Sequence, residues 1–218
     1  MLTALAAAGA RALLLTDAPG TGFDPAGTEV TVLGHSDGVP AEVTAVVHGG
    51  GPDARWTPAE LDALVAAHEL TAFVMLGSVA GTWHVRGRAD EAAAGARAAG
   101  LARARRARDL PATAVAFGPW TGSSTADVAA HLRLHGLPEL EPDTALAALA
   151  AAVAGGGPEE VVADVAWERL APTLAQGGPD GLLALLPEAA PADRRAPATT
   201  VRCGRASPSS PRAPGPRS

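Results

Sequence analysis

The chain has 218 residues, 47% of them hydrophobic, and a formal net charge of -6. That length suits one domain of ordinary size with a real core. Its arginines are scattered or gathered near the end, which leaves no basic stripe for nucleic acid. The single cysteine, Cys203, excludes a disulfide framework and, without companion ligands, a structural zinc site. A reducing compartment, the cytoplasm, is therefore expected, and no run approaches the roughly 20 apolar residues that span a bilayer.

Leu2 to Ala8 reads as a short Ala-rich helix closed by Gly9, followed by an apolar strand over Ala12 to Leu15. Met1 to Leu15 is not read as a signal peptide, because it lacks a basic start and Arg11 interrupts the apolar stretch. Asp17 to Gly27 is rich in turn residues. Glu29 to Leu33 alternates as a second strand, and Val43 to Val47 is a third, running into the glycine loop His48 to Pro52. Thr57 caps a helix from Pro58, with Glu60 placed to complete a capping box.

Thr71 to Leu76, TAFVML, is a continuous apolar strand of the kind buried on both faces of a parallel sheet. Ala89 to Ala107 is helical by its Ala and Arg content, and its arginines read as a solvated face. Thr113 to Phe117 is another buried strand, ending in GPW. Asp143 is read as the cap of a helix through Val153, stopped by Gly155 to Gly157, and Val161 to Val165 as the last strand. Strands separated by helices predict an α/β fold with a parallel sheet and right-handed crossovers. From about Glu188 the periodicity dissolves. The predicted domains are 1–189, folded, and 190–218, a disordered Pro-, Ser- and Arg-rich tail.

From Val43 onward the segments TAVVHGGG, TPAEL, HELTAFVMLGSVAGTW, RARDLPATAVAFGPW, GLPELEPDTALAALAAAV and VVADVAWERLAPTL occur in a telling order. They resemble the catalytic half of the ketoreductase domain of modular type I polyketide synthases, a branch of the short-chain dehydrogenase/reductase family. The resemblance covers roughly Leu2 to Ala189. It implies a Rossmann-like parallel sheet with flanking helices, in which the first strand and its glycine-rich turn are expected to be missing.

The resemblance also assigns positions. Ser78 stands at the family's catalytic Ser, Glu91 at the Tyr thirteen residues later, and Gly95 at the Asn four beyond that. In the family the Tyr gives a proton to the carbonyl oxygen as hydride arrives from NADPH, helped by a Lys. An ionised Glu91 has no proton to give and would repel a developing alkoxide. The sequence contains no Tyr, Lys or Asn at all, and Ile is missing too, the pattern of a GC-rich gene. The stretch Leu61 to His68 replaces a longer segment that carries the Lys in relatives.

For the cofactor, the resemblance leaves vestigial positions at Gly49, Gly50, Gly118 and Pro119. Where relatives grip the 2'-phosphate, Thr16, Asp17, Ala18 and Pro19 occur, and Asp17 would repel that phosphate. NADPH serves the family, but no cofactor is expected here. Trp83 stands where the family's A-type stereochemical group carries a Trp of the substrate pocket, and the LDD motif of the B-type group is not found near Pro52 to Arg55.

Two readings follow. The first is a redox-inactive ketoreductase-like domain with a structural or scaffold role in a polyketide synthase, with synthase domains or an acyl carrier protein as partners by resemblance. Neither nucleic acid nor a membrane is expected as a partner, and because the first strand would join Ala12 to Leu15 with Val43 to Val47, a strand-donating polypeptide is one of two open alternatives. Failing a donor, those two strands would pair directly. The second reading is an active NADPH-dependent reductase of carrier-bound β-ketoacyl groups, seen here as an incomplete gene model. A remote third, a Ser78-based acyl hydrolase, is suggested by HGGG at His48 to Gly51, but the nucleophile elbow GxSxG is off by one position in LGSVAG. His35, His68, His84, His131 and His135 show no metal spacing, so no metal site is expected. Deleting the chain beyond Ala189 should leave the melting temperature unchanged within a few degrees in paired thermal melts, because the tail offers no apolar periodicity to bury.

Overall fold

The computed structural model describes residues 12–15, 29–32, 39–49, 56–83, 88–122, 125–175, 183 and 186–189. The predicted helix at Leu2 to Ala8, the loop at Asp17 to Gly27 and the tail from 190 lie outside the described residues. Six strands occur among the described residues: β1 Ala12–Leu15, β2 Glu29–Val32, β3 Ala45–Gly49, β4 Ala72–Ser78, β5 Thr113–Phe117 and β6 Glu159–Val162. The helices are α1 Pro58–Leu64, α2 Val79–Thr82, α3 Ala89–Arg106, α4 Ala126–Leu134, α5 Pro142–Gly155 and α6 Trp167–Ala175, with a 3₁₀ turn at Pro187–Ala189.

All ladders are parallel. β3-β4-β5-β6 form one sheet in that order and β1-β2 a separate pair. Among the described residues no ladder joins β1 to β3, so the direct pairing anticipated from the sequence is not formed. The rest of the expected α/β architecture is present.

Alternation along the strands sends side chains to two cores. Phe73, Met75 and Ala114 meet Leu61 and Val65 of the α1 region and Ala98 and Ala102 of α3. Val74, Val115 and Phe117 meet Ala145, Leu149 and Ala152 of α5 on the opposite face. Consecutive residues of β4 are thus buried in both directions, which is why that strand reads as an unbroken apolar run. The helix α3 approaches through Ala98, Ala102 and Arg105, a stripe at helical spacing. Arg105 is 3% exposed; its guanidinium pairs with Asp62 of α1, lies 4.4 Å from the centre of the Phe73 ring and donates from Nε to the Pro111 carbonyl at 3.1 Å. That pairing locks α1 onto α3, and a buried guanidinium without its carboxylate would be strongly destabilising.

The cap at α1 forms as predicted. Thr57 Oγ1 accepts from Glu60 N at 3.3 Å, and Thr57 N donates to the Glu60 carboxylate at 2.7 Å. Two boundaries differ from the sequence reading. The cap of α5 is Glu141 with Pro142 in the first turn, so Asp143 lies inside the helix, where its charge faces the positive dipole end instead of capping. The last strand runs Glu159–Val162, earlier than Val161 to Val165, because pairing with Ala114–Phe117 sets its register and solvent covers Glu159 and Glu160.

Two glycines set opposite expectations. Gly136 has φ +91°, and a Cβ there would stand 2.7 Å from the Ala166 oxygen and 2.8 Å from Leu170 N at the start of α6. Gly100 lies within α3 with open space where a Cβ would stand. Gly136→Ala should lower stability by more than about 1 kcal/mol, whereas Gly100→Ala should raise it by roughly 0.5–1 kcal/mol. Urea unfolding midpoints of the two variants check both signs.

Candidate functional site

The end of β4 carries the site. Ser78 is the last residue of that strand, opposite Phe117, and its Oγ accepts from Ala80 N at 3.1 Å as the cap of α2. Strand end and helix start therefore share one residue, which directs the chain from the sheet into α2 and on toward α3. The two helices touch closely. A Cβ on Gly81 would stand 3.0 Å from the Glu91 carbonyl oxygen, and one on Gly95 would stand 3.6 Å from Gly81 Cα. The small residues permit that contact.

Beside Ser78 lies a cavity of about 270 Å³ lined by Ser78, Gly77, Thr82, Gly95 and the start of β6, among other residues. Ser78 and Gly95 thus share one space. Met75, Val115, Val161 and alanines make much of its wall, and the exposed Glu159 and Glu160 also line it. Glu91 does not line it. Its carboxylate pairs with Arg88 one turn earlier, and its Oε2 is buried without a hydrogen-bond partner.

Trp83 caps the end of α2 and meets Trp167 edge-on, ring centres 6.0 Å apart and planes at 63°. Trp167 opens α6. Nothing in the composition or periodicity singled it out, although it stands in the segment VVADVAWERLAPTL.

The four positions expected from the resemblance to be vestigial cofactor contacts have different fates. Gly50 lies outside the described residues. Gly49 is exposed, with open space where a Cβ would be. Gly118 donates its N–H to the Val162 carbonyl at 2.8 Å, and a Cβ on it would stand 3.1 Å from the Ala163 Cβ. Pro119 has no N–H, and its carbonyl accepts from Leu140 N at 2.7 Å. Packing of β5 against the end of β6 is sufficient reason for the glycine.

The hydrolase arrangement meets a similar obstacle. His48 is buried, and its Nε2 lies 2.7 Å from the Trp56 carbonyl oxygen, an acceptor that makes Nε2 the donor. Its Nδ1 has no partner in the described structure. On α4 the rings of His131 and His135 lie 4.2 Å apart, and His135 Nδ1 faces the His131 carbonyl at 2.9 Å. Among the described residues no group of three His, Cys, Asp or Glu side chains could hold a metal ion. No described helix is long and apolar enough to cross a membrane.

The architecture defines a Rossmann-like α/β domain whose site stands at the carboxyl ends of parallel strands. Residues 56–122 match the family model of the KR domain. The chain is 40% identical over 171 residues to polyketide synthase GfsA of Streptomyces halstedii, covering 68% of this chain and 2% of that protein. Among solved structures, A-type ketoreductases from a modular polyketide synthase align over 86% of this chain and 49% of theirs, with TM-score 0.74 and 28% identity. A C2-type ketoreductase from a modular polyketide synthase aligns over 54% of this chain and 26% of its own, with TM-score 0.50 and 40% identity. The chain belongs to the ketoreductase-domain family of modular polyketide synthases. It spans only a small part of the curated synthase and about half of the A-type ketoreductase.

If the two tryptophans stabilise each other beyond their separate packing, a double-mutant cycle of Trp83→Ala and Trp167→Ala should show a coupling of about 0.5–1.5 kcal/mol. Guanidinium unfolding of the four proteins measures it.

Proposed function

We propose that this chain is a redox-inactive ketoreductase-type domain with a scaffold role in a polyketide synthase. The observation that carries the reading is the carboxylate at Glu91: where a phenol would donate, an ion-paired side chain stands that does not line the cavity that Ser78 and Gly95 share. Ser78 is occupied as a helix cap. A cap role explains a serine at this position without catalysis.

The residues present do not fit NADPH. Gly118 and Pro119 spend their backbone groups on β6 and Leu140, so neither offers a free donor to a pyrophosphate. No reaction step is derived through that cofactor. Trp83 is the remnant of an A-type pocket, a reading supported by the likeness to A-type ketoreductases. The partners are the other domains of such a synthase or its acyl carrier protein, and the compartment is the cytoplasm.

Fluorescence titration with NADPH should give no saturable signal in the micromolar range, and a β-ketoacyl thioester mimic should not be reduced. Loss of a positioned acid alone removes roughly 10²- to 10⁴-fold in rate. The double variant Glu91→Tyr, Gly95→Asn should remain inactive in the same assay, because the parts of such a unit act non-additively. Saturable NADPH binding or turnover by either protein would overturn the reading and favour the active reductase.

A further inference from the structure

We propose that His131 and His135 form a chelating site for one divalent transition-metal ion, Ni²⁺ or Cu²⁺ in preference to Zn²⁺, on the exposed face of α4. The helix runs Ala126–Leu134 with His135 as its C-terminal cap, and both histidines are exposed. Four positions apart, they stand one turn above the other on the same face. That spacing, with no acid between them, does not by itself predict a metal. Two features of the structure do.

The first is the tautomer. His135 Nδ1 lies 2.9 Å from the His131 carbonyl oxygen. A carbonyl only accepts, so Nδ1 carries the proton and the lone pair is left on Nε2. Metal-binding imidazoles are held in this way: the second nitrogen donates to a carbonyl or carboxylate, which orients the ring and raises its basicity. The His131 ring has no hydrogen bond among the described residues and can offer either nitrogen.

The second is the separation of the rings, whose centres are 4.2 Å apart with planes at 42°. An ion about 2.1 Å beyond a nitrogen of each ring stands roughly 3.2 Å from each ring centre. Centres 4.2 Å apart then subtend about 80° at the ion, nearer the ~90° between neighbours in tetragonal or octahedral coordination than the tetrahedral ~109°. Tetragonal geometry favours Cu²⁺ and Ni²⁺ over Zn²⁺. Among the described residues no third His, Cys, Asp or Glu side chain completes a set, so water fills the remaining positions.

The surroundings suit a cation. Exposed Asp127 stands one turn before His131, and the carbonyls at the end of α4 form the negative pole of the helix. The guanidinium of Arg133, the nearest cation in sequence, is 3.9 Å from the Glu139 carboxylate. Bridging His131 and His135 would clamp the last turn of α4. The next residue, Gly136, accepts through its carbonyl from Ala166 N at 3.0 Å, immediately before Trp167, so the clamped turn is the one that meets the start of α6. None of this depends on whether the domain reduces a ketone.

Calorimetric titration of the purified full chain with NiCl₂ tests the site. One equivalent of Ni²⁺ should bind with Kd below about 0.1 mM, and Cu²⁺ should bind at least tenfold tighter. Saturating Ni²⁺ should raise the melting temperature by several degrees. His131→Ala and His135→Ala should each weaken Ni²⁺ at least tenfold and abolish the shift, while melting in EDTA within about two degrees of the unaltered chain, since both side chains are exposed. Cys203→Ser should bind Ni²⁺ as the unaltered chain does. Three results would overturn the proposal. One is the absence of saturable Ni²⁺ binding, or binding that survives both histidine substitutions. Another is its loss in Cys203→Ser, which would assign the metal to the thiol. The third is half an equivalent bound alongside a doubled mass in light scattering, which would mean that the ion bridges two copies.

Discussion

The ladder between β4 and β5 is the constraint on which the rest of the structure rests. Its register places Ser78 opposite Phe117 and sets both cores at once, since Phe73 and Met75 face one helical layer and Val74 and Val115 the other. A slip of one residue would exchange the two sets, setting each against the core shaped for the other. The same ladder ends where the site begins. Ser78 closes the strand and caps α2, so the position of α3, and with it Glu91 and Gly95, follows from where β4 stops.

That geometry separates an inherited frame from the chemistry. A strand end, a short helix and a long helix bring Ser78 and Gly95 to one cavity without any catalytic group being needed to hold them there. The glycines at 81 and 95 let the helices touch, and the Glu91 carboxylate finds Arg88 on its own helix. Frame and reactivity are carried by different atoms. Backbone contacts maintain the first, and side-chain replacements can remove the second while leaving the fold in place.

Much of the frame was legible because its signals are local. The run TAFVML announces a strand covered on both faces, and Thr57 with Glu60 forms its capping box from residues only three apart. What was not legible depends on distant partners. The start of β6 at Glu159 comes from its pairing with Ala114, forty-five positions away, and not from its own polarity, which reads as loop. Glu141 replaces Asp143 as the cap because Pro142 fixes the first turn, a preference that competes with side-chain capping strength. At the site, Ser78, Glu91 and Gly95 were placed by likeness to a family, whereas Trp167 needed the fold to bring it to Trp83. Two aromatics eighty-four positions apart leave no local trace of their contact.

The anchoring of α1 shows how a short helix is held to the sheet. Seven residues from Pro58 to Leu64 cover the sheet there because Leu61 enters the core and Asp62 reaches the buried guanidinium of Arg105. Arg105 in turn lies against Phe73, near the start of β4. A charged pair on one helix edge thus ties this short helix to the strand on which the whole sheet depends. Such a pair has value chiefly as a specific anchor, since apolar residues of similar volume could supply comparable stability but not its directional fit. A helix of two turns is thus held by one directed interaction as well as by extent of contact. The anchor reaches β4, the strand that ends at Ser78.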